Sequence, residues 1–162
     1  MVGAENDGEG ANLILDVGSG DVARGDVNVD RYVSASIHRG FEINPHEINN
    51  FMLADAAHLP FRNDCFDSVV SSHVIEHVNE PMRMLSEMAR VSSRFVEVRC
   101  PHRLCLERNK AHKNKMCPSW FRKAFAILGL RVVLLDVKVG LFGLPVEITA
   151  CAKKIHRTVE TV

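Results

Sequence analysis

Residues 13–30 read Leu-Ile-Leu-Asp-Val-Gly-Ser-Gly-Asp-Val-Ala-Arg-Gly-Asp-Val-Asn-Val-Asp, an order that few folds accommodate. Leu13, Ile14, Leu15 and Val17 form a short apolar run, Gly18-Ser19-Gly20 interrupts it, and Val27 and Val29 alternate with polar residues up to Asp30. An apolar run of this length bounded by glycines predicts a buried strand, a tight turn and a second strand. A parallel strand that ends in glycine lets a ligand approach the backbone closely, because no side chain intervenes. Asp30, at the end of the second strand, is then placed to face ribose hydroxyls.

A second stretch carries Asp55-Ala56-Ala-His-Leu59-Pro60-Phe61 and then Phe66-Asp67-Ser-Val-Val-Ser-Ser72-His73-Val-Ile-Glu76-His77. Together with the glycine turn upstream, these motifs make residues 13–153 resemble the class I S-adenosylmethionine-dependent methyltransferases. The likeness is greatest to the subgroup with Asp-Ala-x-x-Leu-Pro-Phe and Phe-Asp-x-Val-x-Ser-x-x-x-x-Glu-His. It implies S-adenosyl-L-methionine as cofactor. It also implies an α/β fold, Rossmann-like and doubly wound, with a mostly parallel seven-stranded sheet whose last strand is antiparallel. The resemblance assigns cofactor binding to Asp16, Gly18, Ser19, Gly20, Asp30, Asp55, Ala56, Ser72 and His73. Asp55 would accept a hydrogen bond from the adenine amino group, and the amide of Ala56 would contact the ring. The family's usual glycine motif is Asp/Glu-x-Gly-x-Gly-x-Gly, and here Val22 stands where the third glycine would be. Only nine residues separate Gly20 from Asp30, too few for a full helix and a strand, so a reduced first crossover helix is expected.

A length of 162 residues fits one domain, 13–155, preceded by a flexible acidic tail at 1–12 that can bury little apolar surface. Lysine plus arginine and aspartate plus glutamate number twenty each, so net charge predicts no polyanionic partner. Five cysteines, an odd number, with no signal peptide and no apolar stretch near membrane-spanning length, predict a cytoplasmic setting without a membrane partner.

Along the chain, 31–50 reads as loop with at most a short helix, 51–54 as a third strand and 66–72 as a fourth. Pro81 opens a helix to Val91 that buries Met82, Leu85, Met88 and Ala89, and 95–98 is a fifth strand. Ser119 reads as the cap of a second helix that buries Trp120, Ala124, Phe125 and Leu128 before Gly129 stops it. Strands at 130–139 and 146–152, joined by the tight connection 140–143, are expected to be antiparallel.

Every candidate motif falls at the carboxyl ends of the strands, where an open parallel sheet binds its ligands. Methyl transfer from a sulfonium is an in-line displacement that depends chiefly on alignment. A hydroxyl or protonated amine acceptor also needs a base, for which His73 is the first candidate, with His77, His102 and His112 behind it. Residues 99–115 hold Arg99, Arg103, Arg108, Lys110, Lys113 and Lys115 against Glu107, a net charge of five positive. His102, Arg103, Arg108, Lys110 and His112 are therefore the candidate acceptor-binding residues. They favour an anionic acceptor such as a phosphorylated sugar, a nucleotide or RNA. The acceptor is otherwise unidentified.

Two readings compete. His73-Val-Ile-Glu76-His77 matches the His-x-x-Glu-His signature of a zinc metallopeptidase, but that chemistry requires a helix and the preceding run is β-branched strand. A catalytically inactive cofactor- or nucleic-acid-binding module is the other, suggested by the reduced crossover. Cys100, His102, Cys105, His112 and Cys117 offer zinc-type donors, yet their spacing is irregular and no Cys-x-x-Cys occurs, so free thiols and no metal are expected.

Overall fold

The computed structural model describes residues 12–35, 42–105 and 111–155. The strands are β1 (Ile14–Val17), β2 (Val27–Asp30), β3 (Phe51–Leu53), β4 (Phe66–Ser72), β5 (Ser92–Pro101), β6 (Leu130–Val139) and β7 (Pro145–Lys154), and the helices α1 (Pro81–Val91) and α2 (Pro118–Ile127). The strands form one seven-stranded sheet in the order β3-β2-β1-β4-β5-β7-β6. From β3 to β5 all neighbours are parallel, and β7 runs antiparallel to both β5 and β6. This is the Rossmann-like α/β sheet with a reversed last strand that the motifs imply.

The core lies between the sheet and the two helices. Leu15, Val17, Val29, Val69, Val96, Val98, Ile148, Ala150 and Ala152 present one sheet face to Met84, Leu85 and Met88 of α1 and to Phe121, Ala124 and Phe125 of α2. Alternation along a strand sends the intervening side chains to the opposite face. There Phe95, Glu97, Arg99, Thr149, Cys151 and Lys153 are partly or fully solvated, and no helix among the described residues covers them.

The short path from β1 to β2 contains no helix at all. Residues 18–26 instead fold flat against the sheet, held by side chains that replace helical hydrogen bonds. Asp16 Oδ2 accepts from the Arg24 amide (3.0 Å) and Asn28 Oδ1 from the Gly25 amide (3.0 Å), while Asn28 Nδ2 donates to Gly25 O (2.9 Å) and Asn49 O (2.8 Å). Both Asp16 and Asn28 are buried beneath this loop. Gly25 is where the loop comes nearest the strand: a Cβ there would lie 2.5 Å from Val27 O, 2.7 Å from Asp16 N and 2.9 Å from Ile14 O.

Boundaries differ from the sequence expectation at β5 and α2, whereas the described part of 31–50 is the expected loop with a short helix. β5 begins at Ser92 instead of Phe95, because it follows α1 directly and still pairs with β4 through Phe66↔Ser92. α2 begins at Pro118, with Cys117 in the cap position and no side-chain cap, so Ser119 lies inside the first turn. Proline is favoured at that first position because its missing N–H would be unpaired there anyway. Between β2 and β3 a single 3-10 turn, Pro45–Glu47, is the only helical element among the described residues. The tail expected at 1–12 lies outside the described residues except for Asn12. No helix is long and apolar enough to cross a membrane among those described.

Candidate functional site

The carboxyl ends of β1, β2 and β4 open onto a cavity of about 460 Å³, a volume suited to a ligand of nucleoside size. Its floor is the turn after β1, where the amides of Gly18 and Ser19 both donate to Val29 O (2.7 and 3.1 Å) and so tie the turn to β2. Gly18 has φ +76°, and a Cβ added to it would lie 2.2 Å from Val74 Cγ2. Any other residue would be strained in this conformation and would collide with the segment after β4. The glycine thus holds two walls of the cavity together.

Asp30 lines the cavity from the end of β2 and is buried. Its Oδ2 accepts from the Gly20 amide and its Oδ1 from the Tyr32 amide, each at 3.1 Å. These contacts fix the orientation of the carboxylate at the cavity wall. Asp55 is fixed in the same way by the Ala57 amide (2.9 Å), with Arg31 at 3.6 Å from its other oxygen, and Ala56 beside it also lines the cavity.

The third wall is residues 72–79. The stretch carrying His-x-x-Glu-His forms turns, not a helix, which removes the geometry a metallopeptidase needs. Ser72 and His73 line the cavity, and His73 has φ +58°, an uncommon conformation for a non-glycine residue that is found at functional sites. Its Nε2 lies 3.1 Å from Glu147 Oε2 and its Nδ1 3.5 Å from Glu76 Oε1. Glu76 first, and Glu147 with it, raise the pKa of the ring above the usual histidine value against the opposing effect of burial. Both nitrogens thus face carboxylates of the protein itself.

Gly18, Ser19, Gly20, Asp30, Asp55, Ala56, Ser72 and His73 come together around one cavity. Asp16 does not line it; the side chain lies beneath the loop 18–26, where burial raises its pKa. His102 and Arg103 also stand apart, the His102 amide bonded to Val146 O (3.0 Å) and the Arg103 amide to Met116 O (2.8 Å). Burial lowers the pKa of His102. Arg108 and Lys110 lie outside the described residues. His112 packs its ring edge-on to His77 with centroids 4.9 Å apart.

Sequence reasoning passed over Tyr32, Asn79 and Lys113 as lining residues. The Lys113 ammonium donates to Asn79 Oδ1 (2.9 Å) at the cavity wall. Only Tyr32 had a local signal, two residues after Asp30. Lys113 reaches the cavity through backbone bonds to Glu76 O that no periodicity encodes. All five cysteines are free thiols.

Residues 15–94 match a family model described as a methyltransferase domain. No sequence among the curated proteins matches the chain. Among solved structures, an S-adenosylmethionine-dependent methyltransferase from Mesorhizobium loti superposes with a TM-score of 0.65 at 13% identity, covering 88% of this chain and 91% of that one. Magnesium protoporphyrin IX methyltransferase from Synechocystis PCC 6803 with bound SAH gives 0.63 at 16% identity, over 88% and 74% of the two chains. A complex between the Haloferax volcanii Trm112 methyltransferase activator and a methyltransferase gives 0.62 at 16% identity, over 90% and 82%. At these identities the likeness is one of fold.

Proposed function

Starting from the membership of this chain in the class I S-adenosylmethionine-dependent methyltransferases, we propose that it transfers the methyl group of S-adenosylmethionine to an oxygen or nitrogen of an anionic acceptor. The observation that carries the cofactor reading is the convergence of Gly18, Gly20, Asp30, Asp55 and Ser72 on one cavity at the carboxyl edge of the sheet. In this reading the turn at 18–20 carries the methionine end of the cofactor, Asp30 accepts from the ribose hydroxyls, and Asp55 with the Ala56 amide meets the adenine. Holding the sulfonium in a fixed pose is the chain's main contribution, because aligned displacement requires little else.

His73 enters this reading as a positioning residue. With Glu147 3.1 Å from one nitrogen and Glu76 3.5 Å from the other, its ring ties the turn after β4 to β7. Lys113 at the cavity wall, with Arg108 and Lys110 in the same basic segment, supports an anionic acceptor through charge-assisted contacts. Asp30→Ala tests the cofactor reading. The variant should bind S-adenosylhomocysteine about 1 to 3 kcal/mol more weakly than the unaltered protein, the loss of hydrogen bonds to a charged acceptor. Equal affinity in a folded variant would remove Asp30 from the site.

A further inference from the structure

Glu76 poses a problem that the methyl-transfer reading leaves unanswered. Its side chain is 2% exposed, and neither carboxylate oxygen has a hydrogen-bond partner among the described residues. A buried carboxylate without a hydrogen bond is costly even beside a cationic ring, unless further positive charge reaches it. His73 Nδ1, 3.5 Å from Oε1, is within ion-pair range and His77 Nε2 stands at 4.0 Å, but neither makes a hydrogen bond to it.

The surroundings are nevertheless built with care. His77 Nδ1 lies 3.1 Å from Ala111 O and donates to it, which in the neutral ring leaves the Nε2 lone pair on the side of Glu76. The amides of Lys113 and Asn114 donate to Glu76 O (2.8 and 3.0 Å), and Asn114 Nδ2 donates to Ile75 O (3.0 Å) and Val78 O (2.7 Å). These bonds clamp 111–114 onto the turn that carries Glu76 and His77, and they bring His112 against His77 from 35 positions along the chain. One donor atom each from Glu76, His77 and His112 lies within 4.8 Å of the others. A point among three such atoms is at most about 2.8 Å from each, and metal–ligand bonds for nitrogen and carboxylate oxygen are about 2.0–2.2 Å. Closure by less than an ångström would complete the site.

We propose that Glu76, His77 and His112 bind one divalent first-row transition-metal cation. Two imidazoles and a carboxylate suit zinc best among the common ions, and three protein ligands leave coordination positions open. The Nδ1 bond from His77 to a backbone carbonyl is the usual outer support of a metal-bound histidine. This assignment departs from the sequence expectation of no metal, which weighed the cysteine-rich set and the helical His-x-x-Glu-His pattern but not His112 paired with Glu76. Because His77 also lines the cavity, the open positions of the cation would take oxygen atoms of the acceptor; that part rests on the methyltransferase reading.

The test is a titration of the full chain, stripped with a chelator, by zinc and separately by cobalt, with no cofactor present. One ion should bind per chain. Cobalt should give visible ligand-field bands without the intense near-ultraviolet band of thiolate ligation. His112→Ala and Glu76→Gln should each weaken binding at least ~10-fold, the lower end of what losing even an outer-sphere partner costs. The Cys105→Ser/Cys117→Ser protein should bind as before. His112 is partly exposed, so its variant decides the matter if the buried Glu76 change unfolds the chain. A folded protein that binds neither ion, or binds them equally well in His112→Ala, or loses them with the cysteines, overturns the site. Titrating the same samples with S-adenosylhomocysteine separates the two readings: metal binding alone overturns the methyltransferase reading and keeps the site, while cofactor binding alone overturns only the site.

Discussion

Four carboxylates are buried among the described residues, and each meets the cost of burial differently. Asp16 and Asp30 accept backbone amides, Glu76 stands among histidines, and Glu87 is paired with Arg90. Glu87 Oε1 lies 2.8 Å from Arg90 Nε and Oε2 accepts from the Leu59 amide (2.9 Å), while the same guanidinium donates to Leu59 O and Phe61 O. The pair thereby staples the segment between β3 and β4, one side of the cavity, to α1. Arg90 holds the Glu87 pKa below its ordinary 4.5. A lowered folded-state pKa means stability that is fully present above about 4.5 and is lost as pH falls through the folded value. Glu87→Gln should therefore cost about 1 to 3 kcal/mol at pH 7, with the difference from the unaltered protein shrinking steadily as melting is followed down from pH 5. A pH-independent difference would mean that the charge of Glu87 contributes nothing to the staple.

At the level of elements, the loop 18–26 decides how much of the expected architecture this chain carries. It takes the place of a crossover helix by lying against β1 and β2 and satisfying Asp16 and Asn28 from above. Gly25→Ala tests that account. Backbone atoms surround the new methyl on three sides and cannot move aside as a flexible side chain would, so the variant should lose about 1 to 3 kcal/mol of stability and bind S-adenosylhomocysteine more weakly. A variant as stable as the parent would show the loop to be loosely held. The strands and both helices were legible because apolar alternation and the Pro81 and Gly129 signals are local. So was the lack of room for a full helix after Gly20, though the reduced helix expected there is replaced by a loop. The start of α2 was not, because the Ser119 hydroxyl offered a cap while Pro118 at the first helical position puts the cap two residues earlier, at Cys117. Nor was the position of His112, since its place beside His77 depends on hydrogen bonds between segments far apart in sequence. His73 was found by its position after β4, but its two carboxylate partners, one from β7, cannot be read from its neighbours.

For the molecule as a whole, the helices among the described residues lie on a single face of the sheet, and loops and turns line the cavity. Basic residues are concentrated in 99–115 of the sequence, and of these Lys113 lines the cavity. Methyl transfer to an anionic acceptor should slow as salt rises, given a Debye length of about 8 Å at physiological ionic strength. Reversing Arg108 and Lys110 to glutamate should raise KM for the acceptor and leave cofactor affinity nearly unchanged. A salt-independent reaction, unaffected by the reversal, would make the segment an ordinary solvated surface. All of this presupposes that the cavity at the ends of β1, β2 and β4 is a cofactor site. Calorimetric titration of the unaltered chain with S-adenosylhomocysteine tests that claim directly. The account predicts saturable binding of one ligand per chain, and a folded protein that gives no binding heat and no thermal stabilisation with the ligand would contradict it.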